Sequence, residues 1–167
     1  EIDRVIFLSP GTINGYTNRG IILRDRGMLE EFVDYDKAVE LSPKNAKVYL
    51  NRGTLQRDRN NFEEALKDYD ICLGLNPSIA ECYVSRGAIY RLTHRYTEAE
   101  QDYKAALKLG YEDCSLYYNM GLLYSSINQH ERSVECYNRA VELSSPDSSP
   151  SNIYYNCSLA ELQLGLN

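Results

Sequence analysis

The sequence predicts an all-α chain, an α-solenoid of antiparallel helix pairs, and three observations predict it. Tyr-x-x-x-Gly recurs at Tyr16/Gly20, Tyr49/Gly53, Tyr83/Gly87 and Tyr117/Gly121, with glycine spacings of 33, 34 and 34 residues. A second skeleton follows each motif: Ala65, Tyr69, Cys72 and Leu75 recur as Ala99, Tyr103, Ala106 and Leu109. Pro10, Pro43 and Pro77 each stand six residues before the next tyrosine. A fixed period of this length, two helices long, encodes stacked supersecondary units. Linkers of one length impose one stacking geometry, which builds a superhelix rather than a globule.

The elements follow in order. Residues 1–10 align with 34–43 and read as the second helix of a truncated repeat, closed by Pro10 because proline cannot continue a helix. The first complete repeat spans 14–43. It is one residue short between Gly20 and Pro43, and the loss falls near Gly27 to Phe32, where a locally distorted turn is expected. The repeat at 47–77 fits the skeleton best. The repeat at 81–111 has Tyr111 where the closing proline should stand, and the repeat at 115–145 keeps Tyr117, Gly121, Tyr137 and Ala140. A longer Ser/Pro loop covers 144–151 and offers Ser145-Pro146 and Ser149-Pro150 to a modifying kinase, although an unmodified linker serves as well. Residues 152–167 read as the first helix of a further repeat, with Tyr154 in the tyrosine column and Ser158 in the glycine column.

Within a first helix the tyrosine and glycine share one face, being four residues apart. An interior glycine costs about 1 kcal/mol of helix propensity against alanine. The close approach of the second helix offsets it. The residue before the glycine is Arg19, Arg52 and Arg86, then Met120; the residue before the second-helix tyrosine is Asp34, Asp68 and Asp102, then Cys136. Arginine and aspartate appear and vanish together, which predicts an ion pair between the two helices of a repeat, replaced by an apolar pair in the fourth.

Composition narrows the function. A net charge of −6 disfavours wholesale nucleic-acid binding, which needs a basic footprint. No run of 18 apolar residues exists, so no membrane span is expected. The five cysteines are odd in number, none in C-x-x-C, and Cys72 stands in an alanine column, so a reducing compartment is expected. His94 and His130 lie in or beside turns without ligand-spaced partners, and no metal or cofactor is expected. No Ser/His/Asp or Cys/His set, phosphate loop or paired carboxylates occurs, so no catalytic residue is assigned. Glu1 opens directly into helix without a visible signal peptide, and the chain is expected to lie within a longer protein or complex.

These columns resemble the tetratricopeptide repeat family, from residue 1 to about 165. The resemblance implies a right-handed superhelix whose first helices line a concave groove that holds a peptide or protein segment. One subset of that family clamps chaperone C-terminal tails with lysine, arginine and two asparagines. Asn51 fits one asparagine, but Thr17, Ile21, Glu81 and Ser85 stand where the other clamp residues belong, so a chaperone tail is not the expected partner.

Two columns carry the binding prediction. Two residues before each glycine stand Asn18, Asn51, Ser85, Asn119 and, before Ser158, Asn156. This position lies about 200° round the helix from the glycine, so it should face the groove. Asparagine both donates and accepts hydrogen bonds. A ladder of such amides can hold the backbone of an extended peptide, as it does in similar family members; the alternative is that the amides pair with neighbouring loops. Four residues after the glycine stand Arg24, Arg57 and Arg91, which should line one flank and meet acidic ligand groups, with Asp25 and Asp58 partly cancelling their field. The expected function is a non-catalytic, cytoplasmic scaffold for protein–protein interaction. The alternatives are the substrate-recognition arm of a larger enzyme, or a structural rod in a cytoskeletal or ciliary assembly.

Overall fold

A computed structural model of the protein describes residues 31–144 and 151–165. These residues form helices α1 (Glu31–Leu41), α2 (Ala46–Asp58), α3 (Phe62–Leu75), α4 (Ala80–Leu92), α5 (Tyr96–Lys108), α6 (Cys114–Ser126), α7 (His130–Leu143) and α8 (Ser151–Leu164). The described residues contain no strand, and none of their helices is long and apolar enough to cross a membrane. The helix expected at 1–10, most of the expected turn distortion, and the Ser/Pro loop at 145–150 lie outside the described residues; Glu31 and Phe32 lie in α1. The chain divides into two compact units, residues 1–82 and 83–167.

In the first unit, α2 packs on both α1 and α3. The α2–α3 pair closes where Gly53 leaves room: a Cβ at Gly53 would stand 2.9 Å from Tyr69 Cε1. Tyr35, Val48, Leu55, Ala65, Tyr69 and Cys72 form the dry interior around that contact. Pro43 closes the preceding helix, and its carbonyl accepts a hydrogen bond from Tyr49 Oη at 3.1 Å, so the repeated tyrosine ties the linker to its own helix.

The second unit repeats this contact twice. A Cβ at Gly87 would lie 2.7 Å from Tyr103 Cε1, and one at Gly121 would lie 2.5 Å from Tyr137 Cε1. Successive pairs are joined by Glu100 of α5, which meets the Arg132 guanidinium of α7 at 3.3 Å and accepts from Tyr124 Oη of α6 at 3.1 Å. On the far side of α7, Ile153, Cys157 and Ala160 of α8 pack around Tyr137 and Ala140. Tyr154 and Ser158 lie on another side of α8, and both are exposed.

The turns inside the pairs share one geometry. Asn60, His94 and Asn128 each have φ near +60°. The next residue reaches back five positions, with Asn61 N–H donating to Gln56 O at 2.8 Å, Arg95 N–H to Tyr90 O at 2.7 Å and Gln129 N–H to Tyr124 O at 2.8 Å. This is a Schellman cap, which satisfies carbonyls left over at a helix end. The same device explains Tyr111: Gly110, at φ +77°, ends α5 and lets Tyr111 N–H donate to Ala106 O at 3.1 Å, so no proline is needed. Asp113 then caps α6 by accepting from Leu116 N–H at 2.7 Å.

Candidate functional site

The predicted ion pairs hold the helix pairs in register. Arg52 Nε and Nη2 donate to Asp68 Oδ2 and Oδ1 at 2.9 and 2.7 Å. Arg86 makes the same fork with Asp102, both contacts at 2.8 Å. Arg52 also reaches Asp36 of α1 at 2.8 Å, joining adjacent repeats. Hydrogen bonding to Asp68 holds the Arg52 guanidinium well above its ordinary range against the opposing pull of burial. In the fourth repeat Met120 and Cys136 are both buried, the apolar replacement expected there, and burial pushes the Cys136 thiol up to about 11.

These forks fix which side of each first helix remains for a ligand. Arg52 and Gly53 turn toward α3, so Asn51 lies on the side of α2 turned away from it. Asn51 is half-buried, and its side-chain amide makes no hydrogen bond among the described residues. Asn119 of α6 is half-buried, and its amide donates to Ser115 O of its own helix at 2.9 Å, leaving its oxygen unused in that contact. Asn156 of α8 donates to Tyr118 Oη of α6 at 3.1 Å. Ser85 of α4 is half-buried. Asn18 and Arg24 lie outside the described residues.

The arginine column divides. Arg57 is half-buried and pairs with Asp58 at 2.9 Å, the cancellation its neighbour implied. Arg91 is half-buried with its Nε enclosed and lacking an acceptor. Its guanidinium lies near the hydroxyls of Tyr103 and Tyr137 and favours their ionised forms, but burial outweighs it at both, raising Tyr137 to about 12 and Tyr103 further.

Sequence reasoning missed Tyr118. Its ring lies 6.0 Å from that of Tyr137 and its hydroxyl receives the Asn156 amide. The available signal was a doubled tyrosine, Tyr117-Tyr118 and again Tyr154-Tyr155, where earlier repeats have one. Among the described residues no group of three His, Cys, Asp or Glu is placed to hold a metal ion. None of the five cysteines forms a disulfide, and Cys72 is buried as its alanine column required.

Two family models match, both described as tetratricopeptide repeat, over residues 46–79 and 78–145, together more than half of the chain. The chain belongs to the tetratricopeptide repeat family. A comparison with curated proteins finds no match. Among solved structures, the tetratricopeptide protein YrrB, described as having an unusual peptide-binding site, is 29% identical, covers 79% of this chain and superposes with a TM-score of 0.69. A tetratricopeptide protein from Parabacteroides merdae is 25% identical over 94% of this chain, with a TM-score of 0.76. The chain spans 66% and 60% of those two proteins. The Cut9–Hcn1 complex of the APC/C matches 99% of this chain at a TM-score of 0.89 but 13% identity, a likeness of fold alone.

Proposed function

We propose that this tetratricopeptide chain is a non-catalytic scaffold that holds an extended segment of a partner protein along its first helices. The observation that carries the reading is Asn51. Its amide is half-buried, unpartnered among the described residues, and on the side of α2 opposite the helix-pairing contact. A polar group in that state retains both a donor and an acceptor for a peptide backbone. Ser85, Asn119 and Asn156 occupy the same column of the second unit, and Asn18 precedes them in the sequence. Arg24 and Arg91 supply the cationic flank, with Arg57 between them offset by Asp58. YrrB, of the same family, is described as binding peptide.

Affinity capture of partners by the full chain tests the reading. Asn18→Ala with Asn51→Ala is expected to weaken capture severalfold while helical content and melting stay as in the wild type. Raised salt should weaken it further by screening the arginine flank. Capture unchanged by the double substitution would remove the asparagine column from the binding surface.

A further inference from the structure

We infer that Arg91, beside the buried hydroxyl of Tyr103, is a subsite for one acidic side chain, aspartate or glutamate, of the bound segment. The inference rests on the groove reading above and names the ligand chemistry at one point of it.

Arg91 lacks what its neighbours have. Arg52, Arg57, Arg86, Arg95, Arg132 and Arg139 each face a carboxylate at 3.3 Å or less. Arg91 has no such partner among the described residues, and its enclosed Nε has no acceptor. The sequence explains the difference. Arg57 is followed by Asp58, which neutralises it, whereas Arg91 is followed by Leu92, which is exposed.

The group beneath Arg91 is also unsatisfied. Tyr103 is fully buried and its hydroxyl has no hydrogen-bond partner. In the preceding repeat the equivalent Tyr69 hydroxyl reaches Thr54 Oγ1 at 3.4 Å, but here Ala88 takes the threonine's place and offers no oxygen. The second unit thus brings a guanidinium and a phenol together, and the nearby Asp102 carboxylate is held by the Arg86 fork. Buried polar groups are ordinarily paired, and an unpaired set marks a missing partner. The fitting partner is an anion with more than one acceptor, because a guanidinium presents a planar fork that a carboxylate matches. The Tyr103 phenol is neutral, so it leaves the guanidinium's charge for the ligand.

Two readouts on the full chain test this. With arginine side chains labelled with ¹⁵N, acetate is titrated in at constant ionic strength. The Arg91 Nε–H resonance should move saturably, while those of Arg52 and Arg86, already paired, stay still. Arg91→Gln should abolish the movement, and Tyr103→Phe, which keeps the buried ring, should weaken the response severalfold. No saturable movement at Arg91 overturns the subsite. The second readout is selection of short peptides from a library with amidated C-termini. The wild type should enrich an acidic residue at one register, and Arg91→Gln should lose that enrichment by about tenfold, the weight of one charge-assisted contact. Peptides selected with no acidic preference, or with a preference that survives Arg91→Gln, overturn the inference and leave the groove reading standing. A persistent acetate response with no peptide selected leaves the carboxylate site and removes the groove reading. Selection only from a companion library with free C-termini overturns the side-chain assignment.

Discussion

At the scale of single residues, the most consequential placement is that of Arg52. Its partner Asp68 has a side chain only 5% exposed, so the carboxylate depends on the guanidinium for its solvation. A buried pair of this kind adds little net stability over an apolar pair, but removing one member strands the other charge. Arg52→Ala should therefore lower unfolding free energy by about 3 kcal/mol, read from denaturant melts. Partner affinity of the remaining folded protein should be unchanged. A variant that melts normally yet loses its partner would show that Arg52 belongs to the binding surface instead. This pair was legible in the sequence because arginine and aspartate disappear together at Met120 and Cys136. The role of Tyr103 was not legible. Its column fits the core in every repeat, and only the packed fold shows that Ala88 leaves its hydroxyl without a partner.

At the scale of helices and turns, the glycine column sets how closely a pair can close. Gly87 faces the Tyr103 ring, and an added Cβ would meet Cε1 at 2.7 Å. That ring is fully buried and cannot retreat without shifting α5. Gly87→Ala should thus destabilise the protein by about 1–3 kcal/mol despite alanine's better helix propensity. Thermal melting by circular dichroism checks it, and a raised melting temperature would show that the helices relax freely. The regular glycine spacing is enough to predict this contact. The turn column Asn60, His94 and Asn128 is not legible in the same way, because its three residues share no obvious chemistry. What they share is tolerance of positive φ, which asparagine and histidine have more than most residues. Gly110 supplies the same backbone where proline was expected, so the departure at Tyr111 exchanges one helix stop for another.

At the scale of the whole molecule, a repeated tyrosine core gives the stability a dependence on pH. Burial pushes Tyr124 and Tyr137 up to about 12 and Cys136 to about 11, each above its ordinary value. The folded state therefore keeps these acids protonated at a pH where the unfolded chain has begun to ionise. Their contribution is complete below the ordinary thiol and phenol values and is lost as pH rises through the folded ones. The denaturation midpoint should stay level up to about pH 9 and then fall steadily toward about pH 11. Cys136→Ala should remove the earliest part of that fall. A midpoint flat to the end of the range would mean that these groups reach solvent in the native state.

The sequence by itself determined the family, the helix pairs and which faces of each helix meet. Those properties follow from local periodicity and from glycine's missing side chain, and both can be counted along the chain. Tertiary structure decided which polar groups are spent. Arg57 and Arg91 occupy the same column, yet one has Asp58 for a partner and the other lies beside the buried Tyr103 hydroxyl. The Arg57 pair could be read from adjacent residues, but the setting of Arg91 depends on side chains far apart in sequence, where a neighbour's single missing oxygen changes what is left to bind.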